Sequence, residues 1–124
     1  MITYEDIEGF YYLGKEIEWY EEHIKKLLSC KYLSSIDEER LQRYYSGLSR
    51  SKAKRAETQA FFDNISDKYL KDIFIDRCVK LKSWGVVALR RNLTEDCVKK
   101  MCRRYFNKYI KEQINKIGEQ HNGK

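Results

Sequence analysis

Residues 69–109 read YLKDIFIDRCVKLKSWGVVALRRNLTEDCVKKMCRRYFNKY, and this stretch decides the fold prediction. Its apolar spacing predicts three successive helices, of which the last is rich in Lys and Arg. Ser66 is the predicted N-cap of the first helix, the second is predicted from Ser83 to Arg90, and Thr94 is the predicted N-cap of the third. Two helices joined by a turn, the second one basic and packed on a further helix, form a helix-turn-helix arrangement. The stretch therefore predicts a DNA-binding module.

The third predicted helix places charged side chains opposite an apolar stripe. The stripe consists of Val98, Met101 or Cys102, Tyr105 and Tyr109. A recognition helix presents residues near its N-terminus to base edges in the major groove, where Lys and Arg bind guanine and Asp binds cytosine. The candidate base contacts are Asp96, Lys99, Lys100 and Arg103. The candidate phosphate contacts, which position a helix without reading sequence, are Arg90, Arg91, Arg104 and Lys108.

Charge is distributed unevenly along the chain, whose net charge is +6. Residues 1–62 contain ten Lys and Arg and eleven Asp and Glu, a net charge of −1. Residues 63–124 contain fifteen and eight, a net charge of +7. A basic C-terminal half suits a nucleic-acid partner because phosphate contacts supply most of the non-specific affinity. An ordinary solvated, Lys-rich helix surface has the same composition, so charge alone leaves both interpretations open.

Composition and pattern predict an all-α protein. The 124 residues include no Pro and 35% charged residues, and apolar residues follow helical rather than alternating spacing. Residues 1–65 are predicted to form a coiled-coil-like helical hairpin, which serves as a scaffold or oligomerisation region. Residues 66–118 are predicted to form the three-helix, helix-turn-helix module. A predicted helix end at Gly118 leaves a flexible tail over residues 119–124.

A helix from Thr3 to Leu28 is the clearest element of the N-terminal half. Thr3 and Asp6 have the spacing of a capping box, and an apolar seam repeats at steps of three and four. The seam consists of Phe10, Leu13, Ile17, Tyr20, Ile24 and Leu27. It requires a partner helix, either in the same chain or in a second protomer. Ser35 is predicted to cap that partner, and the sequence leaves open whether residues 38–64 form one helix or two.

The sequence predicts no catalytic, metal or cofactor site. Its four Cys, at positions 30, 78, 97 and 102, include no CxxC pair, so a zinc site is not predicted. No arrangement of nucleophile and base supports an enzyme. Trp19 and Trp84 are predicted to be core residues. The N-terminus lacks a signal-peptide pattern and no apolar run approaches the about 20 residues of a membrane span, so a cytoplasmic protein is predicted.

Several short motifs occur in a pattern typical of small phage and prophage proteins. They are Arg77-Cys78-Val79, Ser83-Trp84, Val87-Ala88, the run from Thr94 to Lys100, Arg104-Tyr105-Phe106 and, near the N-terminus, the run from Tyr12 to Glu18. In these motifs the chain resembles the RinA/ArpU-type late-operon transcriptional regulators and their relatives, whose C-terminal part is like sigma-factor region 4. The resemblance implies transcriptional control in a phage or prophage, with double-stranded DNA and RNA polymerase as partners.

One departure from that family lies in the turn before the third helix. Family members commonly have glycines there, whereas this chain has Leu89-Arg90-Arg91-Asn92-Leu93, in which only Asn92 readily adopts a left-handed conformation. A homodimer is expected, because one short helix rarely buries enough surface for specific affinity. The alternatives are a DNA-packaging protein of the small-terminase kind and a protein-interaction module that contacts RNA polymerase without touching DNA.

Overall fold

The computed structural model describes residues 1–122, with side chains as far as Gly118, and its regular structure there is entirely helical, which confirms the all-α prediction. The helices are α1 (Tyr4–Glu8), α2 (Phe10–Leu28), α3 (Ser35–Asp63), α4 (Lys68–Phe74), α5 (Trp84–Leu89) and α6 (Glu95–Asn122). A π-helical turn, Ile75–Val79, continues directly from α4. Within the described residues, no helix combines the length and the apolar character that crossing a membrane requires.

The chain divides into two compact units. The first is Met1–Ser66 and contains α1 to α3, and the second begins at Asp67 and contains α4 to α6. The first unit holds ten Lys and Arg and twelve Asp and Glu, whereas the chain from Asp67 onward holds fifteen and seven. The excess of positive charge therefore belongs to the second unit.

In the first unit, the apolar seam of α2 packs against α3 of the same chain. Phe10, Leu13 and Ile24 of the seam are buried, and the rings of Phe10 and Phe62 meet edge-on with centroids 5.2 Å apart. α3 is one continuous helix of 29 residues, which answers the question that the sequence left open over residues 38–64. The seam is thus covered within one chain.

The helix predicted from Thr3 to Leu28 begins as expected but is interrupted. Thr3 and Asp6 form the predicted capping box, in which the Thr3 N–H donates to Asp6 Oδ2 at 2.8 Å. Gly9 then ends α1 and precedes the first residue of α2. The first turn and a half is therefore a separate helix rather than the start of a single long one.

Two helix caps lie one residue away from their predicted positions. α3 is capped by Ser34 and not by Ser35, and Ser34 Oγ accepts a hydrogen bond from the Asp37 N–H at 3.1 Å. α4 is capped by Asp67 and not by Ser66, and Asp67 Oδ1 accepts from the N–H three residues further on at 3.2 Å. In both places two neighbouring residues have capping side chains, so propensity alone does not select between them.

The predicted helix end at Gly118 is wrong, because α6 continues to residue 122. A glycine that ends a helix commonly adopts a left-handed conformation, and no glycine in the described part of the chain has a positive φ. The flexible tail predicted over residues 119–124 is accordingly helical as far as residue 122. Its last two residues lie outside the described part.

The two tryptophans differ from each other in burial. Trp19 is 45% exposed, so the prediction that it is a core residue is wrong. The physical reason is its position, since Trp19 lies two residues after Ile17 of the seam and therefore on another side of α2. Trp84 is half-buried, and the Arg77 guanidinium lies over its ring at 4.9 Å from the centroid.

Gly47 lets α2 and α3 approach closely. It is buried within α3, and a Cβ atom built on it would lie 2.4 Å from Cζ of Tyr20 on α2. A glycine in a helix interior costs about 1 kcal/mol relative to alanine. Here the absence of a side chain lets the Tyr20 ring pack directly on the α3 backbone. Gly14 of α2 provides a contrast, because the nearest atom to its hypothetical Cβ is Arg55 Nε at 3.9 Å.

Replacing these two glycines by alanine should change stability in opposite directions. Gly47→Ala is expected to lower the free energy of unfolding by about 1–3 kcal/mol because the added methyl displaces the Tyr20 ring. Gly14→Ala is expected to raise it by up to about 1 kcal/mol because it adds helix propensity without a clash. Urea denaturation followed by circular dichroism measures both. A Gly47→Ala variant as stable as Gly14→Ala would contradict the close approach.

Candidate nucleic-acid interface

The turn between α5 and α6 is closed by two backbone hydrogen bonds. The Leu93 N–H donates to the Ala88 carbonyl at 3.0 Å, and the Asn92 N–H donates to the Leu89 carbonyl at 3.2 Å. Asn92 has φ of 55°, the left-handed conformation for which the sequence singled it out. This pattern is a Schellman motif with Asn in the place usually taken by Gly. It ends α5 without a glycine.

α6 begins where the sequence predicts. Thr94 Oγ1 accepts a hydrogen bond from the Cys97 N–H at 3.2 Å, and the Val98 N–H donates to the Thr94 carbonyl at the same distance. Glu95 and Asp96 occupy the first turn, where negative charge is favoured by the positive end of the helix dipole. The predicted N-cap at Thr94 is confirmed.

One side of α6 is anchored to the rest of the second unit. α6 packs against α5 and α4. Val98, Cys102 and Phe106 are buried, whereas Tyr105 and Tyr109 of the predicted stripe are only half-buried. The Phe74 and Tyr105 rings lie 6.0 Å apart between centroids. The buried spacing of four residues fixes the rotation of α6 about its axis, and so determines which side chains point outward.

The opposite side of α6 carries the predicted contacts. The exposed members of the predicted set are Asp96, Lys99, Lys100, Arg103, Arg104 and Lys108. Lys100 Nζ lies 3.2 Å from Asp96 Oδ2, and Lys99 Nζ lies 3.9 Å from Glu95 Oε2. Such exposed pairs one turn apart contribute only about 0.3–0.5 kcal/mol, so both lysines can exchange their carboxylate for a phosphate or a base edge.

Arg90 and Arg91, the two predicted phosphate contacts before the turn, have different environments. Arg90 is exposed. Arg91 Nη2 donates to Asp76 Oδ2 at 2.9 Å and its Nη1 donates to the Val87 carbonyl at 3.1 Å, and only 13% of its side chain is exposed. The prediction that Arg91 holds a phosphate does not fit this geometry, because its guanidinium already binds a buried carboxylate.

Asp76 is the residue that sequence reasoning missed. Its side chain is 11% exposed, and its carboxylate lies near three cations, Arg91 at 2.9 Å, Lys82 at 3.7 Å and Lys80 at 3.8 Å. It belongs to the π-helical turn that follows α4, while Arg91 belongs to the turn before α6, so their ion pair ties these two segments together. The sequence contains one indication that Asp76 is buried: it lies three residues after Ile73 and therefore on the apolar side of the first predicted helix.

Trp84 is held at the start of α5 by local contacts. Ser83 caps the helix, and its Oγ accepts from the Val86 N–H at 3.2 Å. Arg77 lies over the Trp84 ring and its Nη1 donates to the Lys82 carbonyl at 3.3 Å. A cation over an indole face is stabilising, so Arg77 adds a second link between the π-helical turn and the start of α5.

The described residues offer little for metal or covalent chemistry. Among them, no group of three or more His, Cys, Asp or Glu side chains is arranged to hold a metal ion. Cys78 and Cys102 are buried, and Cys30 and Cys97 are exposed thiols. Comparisons with protein-family models, with curated proteins and with solved structures find no match.

Arg90→Ala and Arg91→Ala form a matched pair that tests the buried ion pair. Arg91→Ala is expected to lower the free energy of unfolding by about 3 kcal/mol, since it leaves a buried carboxylate without its closest partner. Arg90→Ala removes an exposed side chain and should change it by less than about 0.5 kcal/mol. Urea denaturation of the two variants measures the difference. Equal, small effects would show that Asp76 and Arg91 do not support this unit.

Acid should weaken the second unit through Asp76. Burial raises the pKa of Asp76, but the hydrogen bond from Arg91 and the charges of Lys82, Arg91 and Lys80 together lower it below the ordinary 3.8. Because the folded pKa is below the unfolded one, the stabilisation is complete well above pH 3.8 and is lost as the pH falls through the folded pKa. Urea denaturation at stepped pH should show a shallower acid dependence for Asp76→Asn than for the wild type. Asp6, whose pKa is also lowered, leaves a residual dependence in both.

Proposed function

We propose that the second unit is a helix-turn-helix module that binds double-stranded DNA, with α6 as the recognition helix in the major groove. The observation that carries this proposal is the division of α6 into a buried apolar side and an exposed side bearing Lys99, Lys100 and Arg103. In this assignment α5 and α6 are the two helices of the motif, and α4 with its π-helical turn is the supporting third helix. The charge of the unit favours a polyanionic partner.

Within this proposal the exposed side chains have two roles. Asp96, Lys99, Lys100 and Arg103 lie in the first three turns of α6 and contact base edges, with Lys and Arg selecting guanine and Asp accepting from cytosine. Arg90, Arg104 and Lys108 hold phosphates beside the groove and orient the helix. Arg91 has neither role, because it supports the turn from inside through Asp76.

The narrower proposal is a transcriptional regulator of a phage or prophage. It is supported by the resemblance of the helix-turn-helix segment to the RinA/ArpU-type late-operon regulators, and it implies action in the host cytoplasm with RNA polymerase as a protein partner. Specific protein–DNA interfaces bury about 1,000–2,500 Å² of protein surface, more than one short helix provides. We therefore propose that the protein binds its operator as a homodimer.

Fluorescence anisotropy with labelled duplexes from around the protein's own gene tests this proposal. The wild type is expected to prefer one fragment by a factor of about 10³ or more. Raising the salt concentration from about 50 to 200 mM should weaken binding steeply, because phosphate contacts release counterions. Lys99→Ala/Lys100→Ala should abolish the preference, because these two lysines contact base edges.

Lys25→Ala/Lys26→Ala is the matched control. These two lysines are also adjacent and exposed on a helix, but they lie in the first unit, so the variant changes the net charge equally without altering α6. It should bind like the wild type. Weak, equal binding to every fragment would contradict the regulator. Ring-shaped oligomers would favour a small-terminase-like packaging protein, and polymerase binding insensitive to DNA would favour an interaction module.

A further inference from the structure

The exposed Trp19 of the first unit is held in place by contacts with His23. Its ring stacks on His23 with centroids 3.9 Å apart and planes at 26°, and a hydrogen bond of 2.8 Å joins His23 Nδ1 to the Trp19 carbonyl. An exposed aromatic side chain that is already fixed loses little conformational entropy when it binds a partner. Trp19 is therefore both exposed and already ordered, as is typical of a side chain that binds a partner.

Two tyrosines complete a corner around Trp19. The Tyr20 and Tyr44 rings lie 5.3 Å and 5.4 Å from the Trp19 ring between centroids, with interplanar angles of 80° and 83°. Walls at right angles enclose one apolar side chain. They do not form the set of exposed parallel faces on which successive nucleic-acid bases stack. The shape thus favours a single inserted side chain.

A groove of about 520 Å³ between α2 and α3 contains this corner. Its lining also includes Gln42, Ser46 and two arginines, Arg43 and Arg50, and no carboxylate. Arg43 Nη2 lies 3.6 Å from Glu39 Oε2, but both side chains are more than 70% exposed, so this pair is weak and a ligand carboxylate can replace it. An aromatic corner with no cation beside it suits a quaternary ammonium ligand. This corner has two arginines beside it, which favour an anionic ligand instead.

We propose that this groove, which we call the Trp19 groove, binds a short acidic segment of a partner protein. An aromatic or aliphatic side chain of the segment occupies the corner formed by Trp19, Tyr20 and Tyr44, and flanking carboxylates pair with Arg43 and Arg50. The first unit as a whole has two more acidic than basic residues, so it lacks the extended positive surface that a long polyanion such as DNA needs, whereas a short acidic segment needs only the two arginines of the groove. This site is separate from the proposed DNA interface and does not depend on it.

Titration of the ¹⁵N-labelled full chain with synthetic peptides tests the Trp19 groove by NMR. The probe is GDEFEDG, and its matched peptides are GNQFQNG, which lacks the charge, GDEAEDG, which lacks the ring, and GKRFRKG, which reverses the charge. Trp19→Phe assigns the Trp19 indole signal. GDEFEDG should shift that signal and bind at least about tenfold more tightly than each of the others, equivalent to about 1.4 kcal/mol.

Variants on α3 separate the site from general charge effects. Arg43→Gln/Arg50→Gln should weaken GDEFEDG binding about tenfold, which is a difference of about 1.4 kcal/mol. Arg40→Gln/Lys52→Gln removes the same charge from exposed positions of the same helix and should bind like the wild type. Equal affinity for all four peptides, or equal loss in both variants, would overturn the proposal. Tighter binding of an eight-nucleotide oligothymidine, or a Trp19 signal that shifts with protein concentration alone, would replace it by a nucleic-acid site or a self-association surface.

Discussion

The second unit depends on the ion pair between Asp76 and Arg91. A buried carboxylate is unfavourable by itself, and Arg91 compensates it through a short hydrogen bond while also binding the carbonyl of Val87. The pair connects the π-helical turn after α4 with the turn before α6, two segments fifteen residues apart. Because α6 begins four residues after Arg91, this contact holds the segment that leads into α6 against the π-helical turn. The candidate interface is therefore positioned by a charge that does not reach it.

Arg90 and Arg91 are adjacent and chemically identical, but they differ in burial. Arg90 is exposed beside α6, whereas the guanidinium of Arg91 is directed inward to Asp76. A count of basic residues assigns both to a nucleic-acid surface, and only the tertiary contact of Arg91 with Asp76 separates them. In the same way, the lysines of α6 are candidate contacts because Val98 and Cys102 are buried on the other side of the helix, which leaves the lysines exposed.

In the first unit, helix packing determines which aromatic residues remain accessible. Gly47 brings α3 against Tyr20, and this close approach places Tyr44 beside Trp19. Trp19 lies off the seam, so the packing that buries Leu13 and Ile24 leaves it outside as part of a fixed cluster of rings. The first unit thus combines a covered seam with an exposed aromatic groove, both of which arise from the same pairing of α2 with α3.

The sequence by itself determined the helical class, the seam of α2, the N-cap at Thr94, the left-handed Asn92 and the outward side of α6. Each of these depends on interactions between residues a few positions apart, which periodicity and capping chemistry record directly. It placed the caps of α3 and α4 one residue away, because neighbouring residues there offer equivalent side chains. Only the tertiary structure decided that Asp76 is buried against Arg91, that Trp19 is exposed, and that Arg43 and Arg50 line a groove beside it. These features depend on contacts between residues that are far apart in the sequence. The free energy of such a contact is set by burial and by distance in space, and the local spacing of residues does not encode either quantity.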